Sequence, residues 1–139
     1  MVDPERAAAR LERVRKLIAE LDQIHAEGEA TYLAENQVRL RMAAERALEL
    51  AIQICIDLGT QLLMESPARA PENYADVFKA MAEADLLPAD LAKRLEEAAK
   101  QRNLLVHLYM EIDDRKVFAS LESLDDLRQF AEIVGRELD

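Results

Sequence analysis

The chain has 139 residues, half of them apolar, with three glycines, four prolines, a 4% aromatic content and a formal net charge of −10. One domain, 1–139, accounts for that length, and the dominance of Ala, Leu, Glu and Arg excludes a sheet protein in favour of an all-α bundle of four to five helices. The negative balance excludes a broad phosphate-neutralising surface, so any contact with nucleic acid has to be confined to a small basic cleft.

Asp3 followed by Pro4 reads as an N-cap with proline at the first helical position, and Leu11, Val14, Ile18 and Leu21 follow at spacings of three and four. This predicts a first helix ending near Gly28. Thr31 is the expected cap of a second, longer helix on which Ala44, Leu48, Ala51, Cys55, Leu58 and Leu62 repeat at four and three. Ala47, Leu50, Ile52, Ile54 and Ile56 widen its apolar surface until it nearly encircles the helix, as expected of a central element or of one that meets another subunit. Cys55, the only cysteine, lies inside "LAIQICIDLG", so it reads as a buried, inert thiol and no intrachain disulfide is possible. The apolar runs read as shorter than the roughly 18 to 20 residues that span a bilayer, and "MVDPERAAARLERVRK" has no core of the signal-peptide type. The expectation is a soluble cytoplasmic protein with no membrane partner.

"ESPARAPEN" is a loop punctuated by Pro67 and Pro71, after which Asn73 caps a short third helix carrying Val77, Phe78 and Met81. Pro88 opens a fourth helix in its first turn. Val117, Phe118 and Leu121 mark a short apolar segment beyond Asp113 and Asp114, and Ser123 caps a final helix bearing Leu127, Phe130, Ile133, Val134 and Leu138.

The fourth helix carries the anomaly. Its inward stripe runs Leu91, Leu95, Ala98, Arg102, Leu105, Tyr109, so a guanidinium occupies a position where periodicity calls for an apolar side chain. A charge placed there needs a partner or a cleft. His107 lies about 140° around the helix from Arg102 and about 7.5 Å along it, which allows the two side chains to flank one small cavity. Asn103, one turn before His107, is placed to orient its ring, and Tyr109 falls two turns after Arg102 on nearly the same face. The plain alternative is that Arg102 pairs with one of the many acidic residues, His107 is an ordinary helix histidine and Tyr109 caps the core edge. Spacing alone does not choose between the two.

"RNLLVHLY" matches the Arg-x4-His-x-Tyr signature of the HEPN superfamily, and "RNLLVHLYMEIDDRKV" resembles its HepT subgroup, the toxin half of a toxin-antitoxin pair. "AAERALELAIQICIDLGTQLL" and "PENYADVFKAMAEADLLPADLAKRLEEAAKQRN" extend the likeness over roughly residues 40 to 120. The resemblance implies a helical bundle that forms a homodimer with two motif helices facing across a cleft. It further implies a metal-independent endoribonuclease that acts through Arg102 and His107 with Asn103 as polar companion, and that takes RNA as substrate and no cofactor. The partner it implies is a small nucleotidyltransferase that neutralises the toxin by moving AMP from ATP to the motif tyrosine, Tyr109. The residue between His and Tyr is commonly small or polar in such relatives and is Leu108 here, a departure that bears on how open the cleft is.

The residue types suit that chemistry. RNA carries its own nucleophile in the 2′-hydroxyl, a histidine with an ordinary pKa of about 6.5 serves as base or acid near neutrality, and a planar guanidinium holds a phosphate by two hydrogen bonds. No Cys/His or carboxylate motif shows metal-ligand spacing, and His25 is far from His107 in sequence. His25 reads as a helix-end histidine, Tyr32 and Tyr74 as packing residues, Arg13–Lys16 as a solvated face, and the acidic pairs Asp113-Asp114 and Asp125-Asp126 as turn and cap residues. Two other functions fit the same arginine: a non-catalytic nucleotide-binding or scaffold subunit that partners a nucleotidyltransferase, and a purely structural dimerisation bundle. They part at His107, which must titrate only in the nuclease.

Overall fold

The computed structural model describes residues 3–138. The first helix, α1 (Pro4–Ala26), starts where its cap is written: Asp3 Oδ1 accepts from the backbone N–H of Glu5 and Arg6 at 3.1 and 3.3 Å. It buries Ala7, Leu11, Val14, Ile18, Leu21 and Ile24, the predicted stripe, and stops just before Gly28, whose φ of 94° suits only a residue without a Cβ. Thr31 does not cap the next long helix. It lies inside a five-residue helix, α2 (Glu29–Leu33), and a 3-10 turn (Glu35–Gln37) leads from there into α3 (Val38–Met64).

Twenty-seven residues long, α3 runs through the middle of the molecule with α1, α4, α5 and α7 packed around it. Ala44, Leu48, Ala51, Ile52, Cys55, Ile56, Leu58, Gly59 and Leu63 are all buried; of the residues expected to widen the stripe, Ile52 and Ile56 are buried and Ala47, Leu50 and Ile54 are half-buried. With its lead-in, Glu35–Met64 contains an 18-residue window of mean hydropathy 1.4, long and apolar enough to cross a bilayer, contrary to the expectation that the apolar runs are too short. Here that apolar surface is used as a core. Gly59 permits the closest approach, since a Cβ there would stand 2.8 Å from both Met81 Sδ and Val77 Cγ1 on α4.

Two further helices frame one side of α3. α4 (Tyr74–Glu83) begins at Asn73, whose Oδ1 accepts from Asp76 N at 2.9 Å, and α5 (Ala89–His107) begins after Pro88, which is the residue before the helix and not its first turn. On the other side, α6 (Asp114–Ser120), a 3-10 turn (Leu121–Ser123) and α7 (Leu124–Leu138) close the bundle against α1 and α3. Phe78 of α4 and Phe130 of α7 meet edge to face, centroids 5.6 Å apart, in the centre of the core. Among the described residues there are seven α-helices and no strand, five of the helices being ten residues or longer, as an all-α bundle requires.

Arg41 fastens the ends of this bundle together. Its Nη1 donates to the carbonyls of Tyr32 and Ala34 at 2.8 and 2.7 Å, satisfying acceptors left over at the end of α2, while its Nε stands 3.6 Å from Asp114 at the start of α6. The segment between α5 and α6, where the motif ends, is therefore anchored to α3 on its far side.

Candidate active site

Arg102 and Asn103 sit in the penultimate turns of α5, and His107 is its last residue. Leu108 N still donates to Leu104 O at 2.9 Å, but Leu108 itself leaves the helix with φ −121° and ψ 41°. Tyr109 then lies in a 3-10 turn (Tyr109–Glu111) and not on the helical stripe that periodicity predicted. The reason is burial. Leu108, Tyr109 and Met110 are 47, 68 and 86% exposed, so continuing the helix through them would bury nothing, and Asp113 opens a new helix by accepting from Arg115 N at 3.0 Å.

Arg102 occupies its core-stripe position without an ion pair. Among the described residues no carboxylate reaches its guanidinium. Instead Nη1 donates to Asn103 Oδ1 at 3.0 Å, and the guanidinium carbon lies 5.1 Å from the centre of the Tyr74 ring. Asn103 is thus turned to Arg102, not to His107 as the spacing suggested. Nε of Arg102 is buried and finds no acceptor among the described residues. Tyr74 was the residue that sequence reasoning missed. It opens α4, and nothing local in "PENYADV" signals an arginine approaching from another helix.

His107, Leu108 and Tyr109 all face solvent. A groove of about 530 Å³ is walled by Leu48, Arg94, Gln101, Leu104 and Lys116, but neither Arg102 nor His107 lines it. In one chain His107, Leu108 and Tyr109 are thus on an open surface, with Arg102 half-buried against Tyr74.

The remaining candidates fall elsewhere. His25 is half-buried with its ring 5.3 Å from that of Phe118, which also meets Tyr32 at 5.4 Å. Tyr32 is fully buried, and burial first, then Glu45 and Asp114, push its phenol well above the ordinary tyrosine range. Burial likewise raises the Cys55 thiol, so that side chain is inert at neutral pH. Lys16 pairs with Glu12 at 3.2 Å on an exposed face, Asp126 with Arg94 at 2.8 Å, and Asp125 with Arg128. Among the described residues no three His, Cys, Asp or Glu side chains converge as a ligand set.

Set against known proteins, residues 9–134 match the family described as ribonuclease HepT-like. The chain is 22% identical over 125 residues to the mRNA nuclease HepT of Shewanella oneidensis, covering 89% of this chain and 92% of that one. It is 26% identical over 120 residues to the tRNA nuclease HepT of Aphanizomenon flos-aquae, covering 86 and 80%. In fold it superposes on a tri-AMPylated Shewanella oneidensis HEPN toxin solved in complex with MNT antitoxin, with a TM-score of 0.84 at 20% identity over 98% of this chain and 99% of the other.

Proposed function

The chain belongs to the ribonuclease HepT-like family, and from that premise we propose that it is an endoribonuclease toxin that cleaves RNA without a metal at Arg102 and His107. The observation that carries the reading is the unpaired state of Arg102. In a chain with 28 acidic and 18 basic residues, Arg41 and Arg128, half-buried like Arg102, both find carboxylates, while the guanidinium on the motif helix, its Nε buried, finds only an aromatic face and an amide among the described residues. Its positive charge is left uncompensated, and a phosphate is the ligand whose shape and charge fit a planar fork of N–H donors.

The steps follow from the residue types. His107, solvent-facing at the end of α5, takes the proton from an RNA 2′-hydroxyl. The freed oxygen attacks the adjacent phosphorus, the P–O5′ bond breaks, and the leaving 5′-oxygen takes a proton from a protonated histidine. Arg102 stabilises the charge that builds on the phosphorane oxygens. The products are a 2′,3′-cyclic phosphate and a 5′-hydroxyl. A twofold dimer would set two copies of α5 face to face, enclose the surface that is open in one chain and let two histidines divide the acid and base roles. The partner that silences the enzyme is a small nucleotidyltransferase, and the acceptor of its AMP is Tyr109, the most accessible of the chain's three tyrosines, since Tyr32 is sealed in the core and Tyr74 lies under Arg102.

The test is a gel assay on mixed cellular RNA with unmodified protein. Wild type cleaves in EDTA and leaves cyclic phosphate ends, whereas His107→Gln and Arg102→Ala lose at least ~100-fold with melting curves unchanged. Wild type incubated with ATP, magnesium and the transferase gains AMP mass on a peptide containing Tyr109. Full activity in His107→Gln would overturn the nuclease and favour a nucleotide-binding scaffold.

A further inference from the structure

We propose that Tyr74 is the positioning residue of this site: its ring holds the Arg102 guanidinium by the face, so that the in-plane N–H donors stay at a fixed place for a phosphate. The proposal rests on the ribonuclease reading for its catalytic consequence, though the contact itself does not depend on it. An arginine half-buried in a helical bundle is ordinarily held by a carboxylate. That solution consumes the donors and cancels the charge that a phosphate site must keep. An aromatic face does neither, because a guanidinium stacks through its π face and donates hydrogen bonds in its plane, and the two directions are perpendicular.

At Arg102 the guanidinium carbon lies over the Tyr74 ring, 5.1 Å from its centroid, Nη1 is tethered by Asn103 Oδ1 at 3.0 Å, and no carboxylate among the described residues competes. Together the ring and the amide restrain the guanidinium and leave Nη2 without a protein acceptor among the described residues.

The platform is itself fixed. Tyr74 is the first residue of α4, and the turn before it is locked around Asp76, whose carboxylate accepts from Arg69 Nη1 at 2.6 Å, Arg69 Nη2 at 2.8 Å and the backbone N–H of Glu72 at 2.8 Å. Asn73 caps the same turn. Tyr74 is 47% exposed, and the backbone that carries it is held by this turn. The hydroxyl has no part in the arrangement, which separates the proposal from one in which Tyr74 is an acid or a hydrogen-bond donor.

The experiment is a steady-state cleavage series on a short oligoribonucleotide with wild type, Tyr74→Phe and Tyr74→Leu, each also in an Arg102→Lys background. Tyr74→Phe should keep kcat within about twofold, because the face is retained. Tyr74→Leu should lose ~10-fold or more in kcat with KM changed by less than about threefold, since the lost interaction acts on the transition state. In the Arg102→Lys background Tyr74→Leu should cost clearly less than in wild type, since a point ammonium has no planar fork for the ring to orient. Wild-type kcat in Tyr74→Leu, or the same loss in both backgrounds, overturns the proposal. A second measurement works whether or not the protein cleaves RNA. In the ¹⁵N spectrum the Arg102 Nε–H signal, assigned by its absence from Arg102→Lys, should be displaced by the ring current in wild type and Tyr74→Phe and return to the free-arginine position in Tyr74→Leu. A signal that Tyr74→Leu leaves unmoved sinks the proposal. Inactive wild-type protein with the expected spectra would sink the nuclease reading instead and leave the positioning intact.

Discussion

At the scale of single residues, Arg102 was visible in the sequence because a charge interrupts an otherwise regular apolar stripe, and its real partner was not. Periodicity reports only what shares a helix, and the Tyr74 ring arrives from α4 through tertiary packing that no local pattern encodes. The caps at Asp3, Asn73 and Asp113 were legible for the opposite reason, since they satisfy N–H groups two or three residues away, whereas the caps expected at Thr31 and Ser123 did not form: Thr31 falls inside α2 and Ser123 inside a 3-10 turn. Two acidic side chains give opposite pH behaviour. The Arg69 hydrogen bonds, then that from Glu72 N, lower Asp76 to about 2, below the ordinary carboxylate value of about 3.9. Its contribution is complete above about pH 4 and fades as pH falls toward 2, so Asp76→Asn should lower Tm at pH 7 and flatten the acid decline in that window. The shift should be a few degrees at most, because Arg69 is at the surface and water screens the pair. Glu45 is raised instead, first by burial and then by Asp114. Its ionisation therefore opposes folding at neutral pH, so Glu45→Gln should raise Tm at pH 7 and lose that advantage below about pH 4. Scanning calorimetry across pH 2 to 7 reads both, and parallel curves for the variants and wild type would refute the assignments.

Among the elements, the long helices were readable because each repeats its apolar residues over several turns, and α3 was recognisable as central because its apolar surface is too wide for a single neighbour. The end of α5 was not. "HLYM" contains no Gly or Pro, and every residue in it tolerates a helix. The stop comes from the absence of anything to pack against and from the return of the chain into α6, which Arg41 holds through Asp114. The short α2 was hidden for a related reason, since five residues do not complete a period. How closely α3 and α4 approach could not be read from either helix alone, and it makes Gly59 a sensitive position. Gly59→Ala improves helix propensity yet drives a methyl to 2.8 Å from Val77 Cγ1 and Met81 Sδ, both buried. Overpacking should win, with a net loss of about 1–3 kcal/mol in urea unfolding. An unchanged or raised midpoint would mean that α4 yields more readily than this packing allows.

For the molecule as a whole, the bundle leaves large apolar side chains exposed along α3, at Val38, Met42 and Met64, and beside the motif, at Leu108, Tyr109 and Met110, besides Tyr74 under Arg102. The side-chain oxygens of Gln53 and Gln61, on α3, are buried without a donor among the described residues. A second copy of the chain would supply surface to the first set of groups and a facing wall to the open motif. Light scattering should therefore give twice 15.7 kDa at micromolar concentration. A monomer at that concentration would remove the shared-histidine mechanism while leaving Arg102 and Tyr74 as they are.

One consequence of the place where α5 stops concerns how such a protein is turned off. Because the helix ends at His107, Tyr109 stands outside every packed layer of the bundle, 68% exposed on a short turn. Under the proposed AMP transfer, a nucleotide on its hydroxyl would change the charge and bulk beside the motif without displacing a core contact. Silencing would then be a change of surface chemistry with no unfolding step, and removing the adduct would return a chain that had stayed folded to action.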